Sequence, residues 1–278
     1  MIDSHLHLWK PAERAYSWIP AGTVLDDEFG PERARPELQA AGVDGAVLVQ
    51  AADSYEDTFY MLSVAAKHPE IAGVVGWVPL DRPAEAEAAL ELFRHSPVFA
   101  GVRNLTHDYA DELWIMQPAV TETLELLVRH RLTLDVVCTT PQHLDNVAAL
   151  AMRHPQLTIV LDHLANPGIA DEAWEPWADQ MAAVAAHPNV IVKYSGVTTS
   201  LAGRVWTAAS WQRYLDHVLA AFGADRIMMG SDWPVSLLGG DYQQVWAAQL
   251  DGLAGLTDAE RRAITHDTAA RTYALTLG

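Results

Sequence analysis

Ile2-Asp3-Ser4-His5-Leu6-His7-Leu8-Trp9 is the stretch whose reading decides the fold. It alternates, so in an extended conformation His5 and His7 project from one side while Ile2, Leu6 and Leu8 supply apolar packing. Two imidazoles on a common face suit a metal ion or a developing negative charge. A His-x-His pair is common by chance, and its weight here comes from what lies downstream. Two further apolar runs end in polar residues: Leu157-Thr158-Ile159-Val160-Leu161-Asp162-His163 and Ile227-Met228-Met229-Gly230-Ser231-Asp232-Trp233-Pro234. Strands that are apolar along their length and polar at the carboxyl end are how a barrel enzyme builds its site.

Between these runs the chain keeps a rhythm. Strand-like segments fall at 43–51, 71–80, 99–105, 132–139, 157–164, 190–195 and 226–235, which with the opening stretch makes eight. Ala/Leu/Glu-rich segments of helical periodicity separate most of them, as at 58–67, 85–94 and 142–153. Thr140-Pro141 fits an N-cap followed by proline at the first helical position, and Thr257-Asp258-Ala259-Glu260 fits a capping box. The alternation predicts an α/β fold, a single (β/α)8 barrel spanning 1–278. An open doubly wound sheet is disfavoured, because no Gly-x-Gly-x-x-Gly turn follows the first strand. Residues 9–36, with Trp9, Tyr16, Trp18, Pro11, Pro20 and Pro31, read as a long loop over the site, with Trp18 as a candidate substrate wall.

Half of the 278 residues are hydrophobic, enough for a large core. The formal charge of −18 argues against nucleic acid or an anionic membrane surface as partner, since both need basic patches. No apolar run reaches the roughly 20 residues of a bilayer span, and no secretion signal is visible. The single cysteine, Cys138, forbids an internal disulfide. A cytoplasmic protein is the expectation, with homo-oligomerisation left open.

Twelve histidines need sorting. His68, His95, His130, His154 and His187 fall where helices end, a position favoured by the helix dipole. His143, His217 and His266 lie in helical patterns, and His107 follows the fourth strand with no clear assignment. His5, His7 and His163 remain. With them, the strand ends offer Gln50, Trp77, Arg103, Lys193, Ser195 and Asp232. Asp162 and Asp232 could instead cap turns, and Lys193 could pair with a barrel carboxylate such as Asp135. Cys138 reads as a small buried hydrophobe rather than a nucleophile.

Ile-Asp-Ser-His-Leu-His, Leu-Asp-His-Leu and Gly-Ser-Asp-Trp-Pro together resemble the amidohydrolase superfamily over essentially the whole chain. Gly76-Trp77-Val78, Gly101-Val102-Arg103 and Val192-Lys193-Tyr194-Ser195-Gly196 extend the likeness to its lactonase-rich branch, with its fuconolactonases, rhamnonolactonases and pyrone-dicarboxylate lactonases. The resemblance implies a TIM barrel that hydrolyses small cyclic esters. Many metal-dependent members carry a carboxylated lysine or a histidine at strands four and five. Here Arg103 and the 135–139 run stand there, which argues against two metals. A single ion held by His5, His7, His163 and Asp232 suits zinc, and the branch also includes members that work without metal.

The expected activity is opening of a sugar-acid lactone, in the service of carbohydrate catabolism. Asp232 and His163 would be catalytic, with Asp232 taking the proton of the attacking water. Arg103, Lys193, Gln50, Trp77 and Trp18 would contact the substrate. A lactone isomerase or a decarboxylase on the same barrel, and a non-enzymatic binding barrel, are the rival readings.

Overall fold

The computed structural model describes residues 1–276. Eight strands form one parallel sheet in the order β1 to β8: β1 Ile2–Leu6, β2 Gly45–Val49, β3 Ile71–Gly76, β4 Phe99–Arg103, β5 Thr133–Val136, β6 Ile159–Leu161, β7 Val190–Tyr194 and β8 Ile227–Met229. Every strand residue is buried. That burial is why most strands read as continuous apolar runs: a parallel sheet is covered on both faces. The ring closes between its first and last strands, where Asp232 N donates to His5 O at 2.8 Å and His7 N donates to Trp233 O at 2.8 Å. The architecture is the (β/α)8 barrel that the rhythm predicts.

The helices α1 Pro31–Ala40, α2 Tyr55–Ala65, α3 Pro83–Phe93, α4 Pro118–His130, α5 Pro141–Arg153, α6 Trp177–Ala185, α7 Gln212–Phe222 and α8 Tyr242–Gly252 follow the strands in turn. Thr140 caps α5 by accepting from His143 N. Thr257 and Glu260 form the expected capping box of α9, Asp258–Arg262. The chain then runs into a last short helix, α10 Thr268–Thr272. Ala269 and Tyr273 pack into the barrel interior with Ile2, Val47, Val75, Val160 and Met228, so the final turns plug the barrel from below.

Two boundaries depart from the sequence reading. Residues 9–36 are not loop throughout, because α1 begins at Pro31. Proline at the first helical position loses no hydrogen bond there, and the helix carries Pro36 as well. The carboxyl ends of the strands are the other departure, since β3, β5, β6 and β8 stop short of the predicted 80, 139, 164 and 235. Their carboxyl-terminal residues leave the ladder to build the mouth. No helix among the described residues is long and apolar enough to cross a membrane.

Loop one is pinned rather than loose. Tyr16 Oη donates to Asp57 Oδ1 at 2.9 Å, and the other oxygen of Asp57 accepts from Ala51 N at 2.8 Å. One carboxylate at the start of α2 thus ties the loop to the end of β2.

Candidate active site

The strand ends converge on a solvent-open cavity of about 230 Å³, a concave place of the kind in which small molecules bind. His7, Arg103, His163 and Asp232 line it, as do Trp18 and Asn166. His5 lies directly beneath, fully buried.

Four donor atoms meet at the floor. His5 Nε2 and His7 Nε2 are 3.0 Å apart. Asp232 Oδ1 stands 3.5 Å from His7 Nε2, 3.7 Å from His5 Nε2 and 3.9 Å from His163 Nε2. Donors about 2.0–2.1 Å from one tetrahedral ion lie about 3.4 Å from one another, and the observed spacings bracket that value. His5, His7 and Asp232 together can hold a metal ion. The partners of the imidazoles support this. His7 Nδ1 faces the Val49 carbonyl at 2.7 Å, so its proton sits on Nδ1 and its Nε2 lone pair faces the cluster. His5 Nδ1 lies 3.2 Å from Asp162 Oδ1 and 3.0 Å from Lys193 Nζ. When Nδ1–H points to Asp162, both Nε2 lone pairs and a carboxylate oxygen converge, which only a cation satisfies. When Lys193 donates to Nδ1 instead, His5 Nε2–H can donate to His7 Nε2. The site therefore has a metal-competent tautomer and a self-satisfied one.

The backbone aims these groups. Asp232 and His163 have φ of +58° and +57°, a region that costs a non-glycine residue roughly 1–2 kcal/mol. Such outliers cluster where function holds them. Two glycines make room. A Cβ on Gly230 would lie 2.8 Å from His5 Cβ, and one on Gly196 would lie 2.7 Å from His163 Nδ1. Ser195 Oγ meets that same Nδ1 at 2.9 Å. Asp3, at the start of the motif, accepts from Ser231 N at 2.8 Å and Tyr242 Oη at 3.0 Å. It thereby locks β1 to the loop that carries Asp232, and burial pushes its pKa up to about 6.

Below the floor runs a buried charge network. Lys193 Nζ contacts Asp135 Oδ2 at 2.6 Å and Asp162 Oδ1 at 3.0 Å. Arg103 reaches the other oxygen of Asp162 at 3.0 Å, and Tyr273 Oη donates to Asp135 at 2.6 Å. Burial alone would raise Asp162, but Lys193, His5 and Arg103 hold it well below the usual carboxylate range. Burial outweighs Lys193 at Asp135 and raises it. Burial, with Lys193 alongside, pushes His5 far below the usual imidazole range, and burial lowers His163 too. His5 and His163 are thus held toward the neutral form, in which an imidazole nitrogen can accept a hydrogen bond or face a cation.

Three residues expected at the substrate lie elsewhere. Lys193 is fully buried in the charge network, where it supports His5. Gln50 is also fully buried, donating to Asp53 Oδ1 and to Arg103 O, each at 3.0 Å. Trp77 packs edge-on against Tyr55 of α2 at 5.0 Å and takes no part in the cavity wall. Arg103 does face the cavity, held by Asp162 and by the Gln50 carbonyl at 2.5 Å. Trp18 lines it too, with its indole N–H on Ala51 O at 2.7 Å and its ring edge-on to Trp9. The fifth strand brings no donor to the centre: Cys138 is buried and its thiol pKa is raised by burial. The sequence reading passed over Asp162 as a possible turn cap. Its place one residue before His163, at the end of an apolar run, was the available signal.

The amidohydrolase family profile matches residues 2–275. The chain belongs to the amidohydrolase family. It is 39% identical to an L-fucono-1,5-lactonase of Burkholderia ambifaria, covering 87% of this chain and 82% of that protein. A second L-fucono-1,5-lactonase, from Burkholderia multivorans, is 35% identical, with 99% and 96% covered. Among solved structures, a crystal structure of an amidohydrolase from Burkholderia multivorans with bound zinc superposes with a TM-score of 0.91 at 33% identity, covering 99% of each chain. This amidohydrolase is thus similar over most of its length to relatives named as lactonases, and in fold to a zinc-bound amidohydrolase.

Proposed function

We propose that this amidohydrolase is a lactonase that opens a sugar-acid lactone of the L-fucono-1,5-lactone kind. The observation that carries the reading is the meeting of His5, His7 and Asp232 within 3.0–3.7 Å at the floor of an open cavity, with His163 3.9 Å from Asp232. The names of the two relatives and the zinc of the 33%-identical structure support it. A small-molecule lactone is the partner this cavity suits.

The lactone carbonyl would rest over the floor beside Arg103. Water attacks the carbonyl carbon, a C–O bond forms, and Asp232 Oδ accepts the water's proton. Charge builds on the carbonyl oxygen, and the guanidinium of Arg103, fixed by Asp162 and the Gln50 carbonyl, stands ready to stabilise it without reorganising. The ring C–O bond then breaks and Asp232 returns the proton to the departing ring oxygen, leaving an open-chain hydroxy acid. His163, fixed through Ser195, holds the carbonyl side of this arrangement. His5 Nε2, His7 Nε2 and Asp232, with His163 adjacent, would hold one zinc ion. When bound, zinc supplies Lewis-acid polarisation and a lowered pKa for water.

A pH-indicator assay on a panel of aldonolactones, run with and without a chelator, tests the reading. The purified protein should carry about one divalent ion per chain, and chelation should remove both the ion and the turnover. Turnover indifferent to the chelator in a metal-free protein would leave Asp232 and the self-satisfied histidine tautomer as the working site. No turnover of any lactone would reject the proposal.

A further inference from the structure

His107 stands on the short turn Thr106–Asp108 beyond β4, on the cavity wall. Its ring lacks a settled hydrogen bond. Nδ1 is buried with no partner among the described residues. Nε2 stands 3.8 Å from Asp108 Oδ1, beyond hydrogen-bonding reach. A buried N–H without an acceptor is rarer than a buried lone pair, so the neutral ring carries its proton on Nε2. Burial, opposed by Asp108 and reinforced by Arg103 and His163, pushes its pKa down to about 4, so the ring is neutral near pH 7. Since Nδ1 is closed off, the exposed 24% of the side chain lies toward the Nε2 edge. The wall thus holds one donor with nothing to donate to.

The rest of the mouth says what would use it. In the strand order, β4 lies across the ring from β8. The arc from β8 through β2 presents Val235, Ala51 and Trp18, and the Trp18 N–H is already spent on Ala51 O. Above the floor residues His7 and Asp232, that side offers carbon. The arc from β4 to β7 carries the polar groups of His107, Asp108, Thr139, Asn166 and Thr199, beside the apolar Leu105 and Val137. Asn166 is fixed by donation to Cys138 O at 2.9 Å. A sugar lactone has both kinds of edge, C–H and hydroxyl, and a hydroxyl turned toward the β4–β7 arc meets its polar groups.

We propose that His107 Nε2–H donates to a hydroxyl oxygen of the lactone and makes that hydroxyl a determinant of specificity. The inference rests on the lactonase reading above. A site built to hydrogen-bond a hydroxyl penalises an analogue that lacks it, because the site's polar group is left unpaired.

The test uses the full-length enzyme, the aldonolactone it turns over best and the monodeoxy analogues of that lactone. For the wild type, removing one particular hydroxyl should lower kcat/KM by about tenfold or more. In His107→Leu that penalty should collapse toward unity while the penalties for the other hydroxyls persist. His107→Gln, whose amide nitrogen overlays Nε2, should restore it, and His107→Asn, whose nitrogen overlays Nδ1, should not. Each penalty is a ratio within one variant, so a partly misfolded preparation does not alter it. If every analogue costs His107→Leu what it costs the wild type, the inference is overturned. If the wild type opens no lactone at all, both readings fall, a distinct outcome.

Discussion

The floor and the rim of this barrel mouth are built on opposite terms. At the floor, the side chains of His5, His7, Arg103 and Asp232 are at most 5% exposed, and the first three are each held by a further partner. His7 leans on a strand carbonyl, His5 on Lys193 and Asp162, and Arg103 on Asp162 and Gln50 O. At the rim, Trp18, His107, Thr139 and Asn166 stand on turns and loops and are part-exposed or exposed. Reaction chemistry needs donors fixed to within fractions of an ångström, which strand ends and their supporting partners provide. Selectivity can sit on loops that vary without disturbing the framework.

The largest expected effect breaks the floor at its proton-transfer group. Asn tolerates left-handed backbone, so Asp232→Asn should keep the turn at φ +58° while removing the base. Turnover should fall by roughly 10²–10⁴-fold with the fold intact. A mere turn cap would instead cost about 0.5–2 kcal/mol of stability and spare the chemistry. Steady-state rates beside a melting curve separate the two.

A second substitution asks whether the floor stands on the charge network. Lys193→Met would leave Asp135 and Asp162 facing each other with their shared cation gone. Breaking a buried pair in this way typically costs about 3–5 kcal/mol, readable by denaturant unfolding. A loss under about 1 kcal/mol would mean that Arg103 and Tyr273 suffice and that Lys193 is not a support of the site.

The same contrast explains what was legible beforehand. Ile2-Asp3-Ser4-His5-Leu6-His7 announces itself because alternation places both imidazoles on one face. Asp162-His163 and Ser231-Asp232 do so because apolar runs end in charge. All eight strands fall inside the segments that periodicity marks. Depth was not legible. Lys193 sits on β7 and Gln50 just past β2, yet their side chains turn into the protein, toward Asp135 and toward Asp53. Trp77, one residue past β3, turns outward to Tyr55 of α2. Strand-end position alone does not say which way a side chain points once the ladder is left. Tyr273 meets Asp135 across 138 positions of chain, a contact no local pattern encodes. His107 belongs to no period at all. Pro31 reads as a helix breaker, although proline is at home in a helix's first turn.

The central claim is that water, guided by this floor, opens a lactone ring. Its most direct test is turnover of L-fucono-1,5-lactone in oxygen-18 water, with the product weighed by mass spectrometry. Water attack on the carbonyl carbon should place one heavy oxygen in the carboxylate of an open-chain hydroxy acid and release no carbon dioxide. A rearranged lactone of unchanged mass, a decarboxylated product or no product would contradict it.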